Sequence, residues 1–234
     1  MSTADRFRTV VAPPLIAGDR LSRAEFHRRY EASPEDLRAE LIDGEVLMAS
    51  PVSADHGEHA AIIVYALVVF AQSSPALRAS ENATLVLDDL SEPQPDGLPA
   101  IRPEYGGRVR LIDGYDTGAP ELVIEIAKAT RDIDLGRKRN DYERNGISEY
   151  LVVAIEPAEL FWFVARHGRF ERRSPDADGI LRSESFPGFW LDVDAFFRLD
   201  SDRLTAVLAL GKASPEHKAF IVGLDAARRD DSVN

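Results

Sequence analysis

Apolar residues recur along this chain with two spacings. PELVIEIAKAT (120–130) carries them on both faces of an extended segment, the pattern of a strand inside a mixed or parallel sheet. EYLVVAI (149–155) repeats that pattern. Between them, RDIDLGRKRNDYERNG (131–146) has amphipathic helical spacing and closes on Asn145-Gly146, a C-cap signal. LSRAEFHRRYEAS (21–33) predicts a helix with Ser22 as a candidate N-cap. The stretch 59–72 predicts a helix buried on most sides, with Asp55 and His56 just before it.

Turn chemistry supplies the remaining elements. AELIDGEVLMAS (39–50) reads as two short strands around Asp43-Gly44, a strong hairpin signal. LFWFVARHGRFERRS (160–174) reads as a second hairpin turning near His167-Gly168. NATLVLDDL (82–90) predicts a strand, and the prolines of SEPQPDGLPAI after it confine ladder pairing to edges and ends. RVRLID (108–113) fits a short strand or an excursion, and EYGGRVRLIDGYDTG a lid or a loop. ESFPGFWLDVDAFFRL (184–199) is a closing segment that packs aromatics. The order predicts an α/β domain, a mixed β-sheet flanked by helices, over residues 21–200. An arm (1–20) precedes it, and a helical tail (201–234) with a polar, frayed end follows.

Composition narrows the chemistry. The chain has 234 residues, 44% of them hydrophobic, enough for a substantial core. It has no cysteine, which excludes disulfides, thiolate metal sites and cysteine nucleophiles. No signal-peptide pattern opens it, and the run AAIIVYALVVFA (60–71) is short for a bilayer, so a soluble, cytoplasmic protein is expected. Its five histidines lack zinc-enzyme spacing, and no phosphate-binding glycine loop occurs. The net charge of −12 weighs against tight, non-specific nucleic-acid binding.

One candidate site stands out. Glu125 sits in the middle of the apolar strand, where a charged carboxylate costs several kcal/mol, an order of magnitude, unless paired or metal-bound. Strand alternation puts Glu125 on one face with Val123 and Ala127, and Lys128 on the other. Lys128 is therefore a poor partner. On the next helix Asp134, Lys138 and Tyr142 form a stripe at i, i+4, i+8, and Lys138 can fold back over the sheet toward Glu125. Asp96, held after Pro95, adds a second acid at a strand edge. Two carboxylates and a lysine at one edge suit a hard divalent cation and water-mediated attack on a phosphoester. The residues alone also allow a structural ion pair at Glu125 and a solvated Asp134–Lys138 pair. The basic residues Arg131, Arg137 and Arg139, and those of ARHGRFERR (165–173), fit either phosphate contact or a balanced solvent face.

The stretches ELIDGEVLMASPVSADHGEH, QPDGLP, PELVIEIAKATRDIDLGRKRNDYERNGISEYLVV and SFPGFWLDV together resemble the Uma-two-type putative restriction endonuclease family, within the PD-(D/E)xK nuclease superfamily. The most specific part is the acid in an apolar strand followed by Asp134, Lys138, Tyr142, Gly146, Ile147, Glu149 and Tyr150. The resemblance implies a restriction-endonuclease-like core, with Asp96 and Glu125 as metal-binding acids and Lys138 as the catalytic lysine moved from strand to helix. Glu40 and His56 match family positions and become candidate site-lining residues together with Tyr142; the other readings are a hairpin surface acid and a neighbour of a helix cap. The implied function is an Mg²⁺ (or Mn²⁺) dependent endonuclease acting on DNA. A nuclease-fold module that only binds or dimerises is the main alternative, and a hydrolase of another phosphoester a third. The two-fold symmetry of duplex DNA would suit a homodimer, which nothing in the sequence itself encodes.

Overall fold

Strand β8 (Leu122–Ala127) lies buried along its whole length and organises the rest of the molecule. The computed structural model describes residues 12–228. The preceding elements in chain order are α1 (Arg23–Glu31), β1 (Ala39–Ile42), β2 (Glu45–Met48), α2 (Ala54–Ala71), β3 (Leu77–Ser80), β4 (Leu85–Val86), β5 (Leu98–Ile101), β6 (Arg110–Ile112) and β7 (Tyr115–Thr117). After β8 a helix runs as α3 (Arg131–Ile133), a π-helical turn over Asp134–Lys138, and α4 (Arg139–Arg144). Then come β9 (Glu149–Ala154), β10 (Glu159–Arg166), β11 (Arg169–Arg173), β12 (Ile180–Arg182), β13 (Trp190–Asp192), α5 (Val193–Phe197), α6 (Ser201–Ala213) and α7 (Pro215–Ala227).

The main sheet has the order β11-β10-β9-β8. Strands β8 and β9 are parallel, joined through the intervening helix, and the other pairs are antiparallel, so the sheet is mixed. On the free edge of β8, Gly97 pairs with Ile124 through two backbone hydrogen bonds of 2.9 and 3.1 Å. Space is tight there: a Cβ would stand 3.1 Å from Leu67 Cδ1 and 3.3 Å from Ile124 Cβ, so those side chains would have to give.

The two faces of β8 serve different cores. Leu122, Ile124 and Ile126 pack with Ile63, Leu67 and Phe70 of α2 and with the closing aromatics Phe186 and Phe189. Val123 and Ala127 pack with Tyr142, Tyr150, Phe163 and Phe170 under α4. Each large side chain so buried contributes about 1.5–3 kcal/mol. Helix α2 is long and apolar enough to cross a membrane, but its face from His59 to Phe70 is taken up by this core.

Both hairpin turns form as expected. Asp43-Gly44 and His167-Gly168 take positive φ at both positions, as two-residue turns of twisted strands require. Ser22 caps α1, accepting from Glu25 N. Other expectations need correction. Helix α2 starts at Ala54, capped by Ser53, so Asp55 and His56 lie in its first turn, not ahead of it. Of 82–90 only Leu85–Val86 is strand; LPAI (98–101) pairs with β3 at an edge, where its prolines allowed a ladder. The 104–118 insert contains a hairpin, β6–β7, anchored by parallel pairing of β7 with β4. The boundary at residue 200 does not separate a tail: Leu204, Val207 and Leu208 of α6 are fully buried, Leu204 and Leu208 in the α2 core. Residues 18–21 bond to 44–46 and extend the first hairpin; the rest of the expected arm up to residue 11, and the expected frayed end from 229, lie outside the described residues.

Candidate active site

Glu125 projects from the face of β8 that looks toward the helix, and the helix brings two groups to it. Lys138 Nζ lies 3.1 Å from Glu125 Oε1, and the Tyr142 hydroxyl donates to the same oxygen at 2.7 Å. Lys138 is the last residue of the π-helical turn, which is one residue wider than an α-turn. The Tyr150 hydroxyl on β9 donates to the Asp134 carbonyl at 3.0 Å at the start of that turn. The parallel β8–β9 pair thus fixes the register of the helix that carries the lysine.

Lys138 gathers acids from distant parts of the chain. Its ammonium is 2.8 Å from Glu40 Oε2 on β1 and 3.8 Å from Asp134 Oδ1. Glu40 is steadied by the Gln94 backbone N–H at 2.7 Å. Glu40 is therefore turned inward onto Lys138 and is not a free surface acid of the hairpin. Asp134 and Lys138 are both buried, which rules out the solvated-pair reading.

Asp96 enters from the other side. The Gly97–Ile124 pairing ends just before it, and its carboxylate takes the next free donor of β8, accepting from Ile126 N at 2.7 Å. Its second oxygen lies 3.3 Å from His56 Nε2 in the first turn of α2. The strand-face argument against Lys128 also has its physical counterpart: Lys128 Nζ bonds to Asp55 Oδ2 at 2.6 Å, on the α2 side of the sheet.

Glu40, His56, Asp96, Glu125, Asp134 and Lys138 line one cleft of about 640 Å³; Tyr142, expected to line it, stands behind Glu125 outside the lining. Burial pushes the Glu125 carboxyl well above its usual range; Lys138 opposes this, while Glu40, Asp134 and Asp96 reinforce it. Burial also raises Asp134, to about 6, against Lys138 and a hydrogen bond from Thr130. Burial works against the Lys138 charge, but Glu125, Glu40 and Asp134 outweigh it and keep the ammonium protonated. The hydrogen bond to Asp96 raises His56, against partial burial.

The donors fit a hard cation. Four carboxyl groups face one ammonium and one imidazole, leaving an excess of oxygen donors, and Asp134 Oδ2 is buried without a hydrogen-bond partner among the described residues. Among those residues no three acidic or histidine side chains converge closely enough to ligate a metal alone. Mg²⁺ does not need them to, because it is commonly held by one or two carboxylates with waters and substrate phosphates completing its shell.

Three members escaped the sequence reading as site residues: Asp134, Gln94 and the Ile126 N–H. Asp134 carried a signal in the i, i+4 stripe; the two backbone donors carried none.

The wider basic residues are mostly neutralised. Arg137 pairs with Glu45, Arg131 with Glu159, Arg166 and Arg173 with Glu184, Arg169 with Glu143, and Arg172 with Glu159. Arg139 lies over the Phe163 ring. The helix arginines Arg131 and Arg137 are thus balanced by glutamates of other elements and not, as a balanced helix face would have it, by Asp132, Asp134 and Asp141.

Comparison with known proteins agrees with this architecture. No curated protein matches the chain. Among solved structures it is similar to a crystal structure titled a putative nuclease belonging to DUF820 from Anabaena variabilis ATCC 29413. The identity is 15% and the TM-score 0.57, over 73% of this chain and 96% of that one. That likeness gives the fold, a restriction-endonuclease-like mixed sheet flanked by helices. The profile of the Uma2 family, described as "Putative restriction endonuclease", matches residues 23–194. Extending over most of the chain and over every candidate residue named above, that match makes this protein a member of the Uma2 family.

Proposed function

We propose that the chain is an Mg²⁺- or Mn²⁺-dependent endonuclease that hydrolyses phosphodiester bonds in DNA at Asp96, Glu125 and Lys138. The observation that carries this is their convergence. Asp96 is bonded to the backbone of the residue next to Glu125, and Lys138 stands 3.1 Å from Glu125 itself, all within one cleft.

Asp96 and Glu125 would hold the metal. When bound, it supplies Lewis-acid polarisation of the phosphate and a lowered pKa for coordinated water. The protein's own groups do the rest. Tyr142 and Lys138 both bind Glu125 Oε1, which fixes the carboxylate and leaves Oε2 without a hydrogen bond among the described residues. The Lys138 ammonium stays charged, orients the attacking water and balances the negative charge that builds on the phosphate oxygens. Glu40 and Asp134 hold that ammonium in place. His56, beside Asp96 and partly exposed, orients that acid from the cleft side.

The rival, a nuclease-fold module without catalysis, draws support from the net charge of −12 and the paired arginines. Incubation of the purified chain with labelled single-stranded and duplex DNA, with Mg²⁺, Mn²⁺ or chelator, separates the two. The proposal expects metal-dependent cleavage that Glu125→Ala abolishes. Cleavage that survives this change refutes the assignment, and absence of cleavage on every substrate favours the module.

A further inference from the structure

We infer that the cleft takes single-stranded DNA, or a strand already displaced from its partner, in preference to intact duplex; this names the substrate class of the site proposed above and rests on that reading. Three observations carry it.

The first is depth. The side chains that would meet the phosphate are nearly enclosed: Glu125 is 4% exposed, Lys138 7% and Asp96 14%. Its lining includes the segment 49–53 between β2 and α2 and residues between Lys128 and Ile133. A volume of about 640 Å³ lies in the range of small-molecule sites, room for about one or two nucleotides. Duplex DNA is a stiff rod whose strands cannot sink into such a recess without unpairing, whereas a single strand bends into it freely.

The second is the chemistry of the walls. Leu47, Met48, Pro51, Val52 and Ile133 line the cleft, and Val52 is 70% exposed at its mouth. Unstacked bases offer apolar faces to such a surface; a paired duplex presents phosphates and sugars.

The third is charge. Duplex affinity comes from rows of cations that neutralise phosphates on both strands. Here the exposed arginines of β10, β11 and the helix are spent on Glu45, Glu143, Glu159 and Glu184. At the cleft, Lys128 is paired with Asp55, while the Arg38 guanidinium bonds to the Glu35 and Leu37 carbonyls. That is enough to meet one or two phosphates of one strand, not a duplex backbone.

The test uses one fluorescein-labelled DNA oligonucleotide as a single strand, as a blunt duplex and as a duplex with a single-stranded overhang. Binding to the full chain is read by anisotropy with Ca²⁺ in place of Mg²⁺, and cleavage is read separately in Mg²⁺. Single strand and overhang should bind about tenfold or more tightly than blunt duplex. Val52→Asp should weaken single-strand binding, and Arg169→Ala, on the paired hairpin, should not. Equal or tighter binding of blunt duplex overturns the inference, and so does binding of neither. Selective binding of single strands without cleavage keeps the inference and removes the nuclease reading. Efficient cutting of duplex bound as well as single strand does the reverse. An RNA oligonucleotide of the same sequence, bound more tightly than the DNA, would overturn the choice of DNA.

Discussion

The Tyr142 hydroxyl and the Lys138 ammonium share one oxygen of Glu125, at 2.7 and 3.1 Å. Both side chains hang from one helix, on either side of the point where its π-turn relaxes into α4. The strand acid is therefore anchored by the helix before any ligand arrives. Burial holds the Tyr142 proton far above its usual range, so the phenol acts as a donor throughout.

Removing that donor tests the anchoring. Tyr142→Phe deletes a hydrogen bond to a charged group, worth about 1.5–3 kcal/mol. The expected result is a fall in kcat of about tenfold or more with KM for DNA unchanged. Because Glu125 loses a donor, its carboxyl moves further upward and the acidic limb of the rate profile shifts to higher pH. A pH–rate series on wild type and variant, with circular dichroism to show folding, checks both.

Lys138 and Glu125 should respond oppositely to neutralisation. Lys138→Met leaves the buried Glu125 and Asp134 and the partly buried Glu40 around no cation, and should cost about 3–5 kcal/mol of stability. Glu125→Gln removes the acid that burial disfavours most and keeps Lys138 on Glu40, so stability should hold or rise while cleavage is lost. Urea denaturation at neutral pH compares them.

Asp141 supplies a pH test away from the cleft. Burial raises its carboxyl to about 6, against a hydrogen bond from Ser91 and the charge of Arg144. A carboxyl raised on folding favours the native state fully below its unfolded pKa near 3.8, and that contribution disappears as pH climbs through 6. Two units correspond to roughly 3 kcal/mol. Asp141→Asn should therefore gain on wild type as pH rises from 4 to 7. Chemical denaturation of both proteins across that window reads the difference, and a constant gap would contradict it.

Gly97 tests the placement of Asp96. Gly97→Val puts carbon atoms against Leu67 and Ile124 and should cost about 1–3 kcal/mol. It also pushes the chain off the edge of β8, so Asp96 loses the Ile126 N–H and affinity for Mn²⁺ should fall. Thermal unfolding and a Mn²⁺ titration followed by paramagnetic relaxation of water report the two effects.

The sequence by itself determined the local pieces of this protein. Alternation along 121–128 was enough to part Glu125 from Lys128, because side-chain direction in a strand depends only on parity. Spacing of four put Asp134, Lys138 and Tyr142 on one helical face, and the Asp43-Gly44 and His167-Gly168 pairs carried their turns in their own backbone preferences. Proline chemistry confined any ladder within 91–101 to an edge, and LPAI does pair at an edge, where missing donors cost little.

Only the tertiary structure decided what those pieces meet. Glu40 is 98 residues from Lys138 and Asp96 lies 30 from the Ile126 N–H that holds it. No local period encodes such meetings; they follow from how α2, the hairpins and β8 pack against shared apolar faces. The fate of the arginines was settled in the same way, because a charge run looks identical in sequence whether its partners are phosphates or glutamates folded against it.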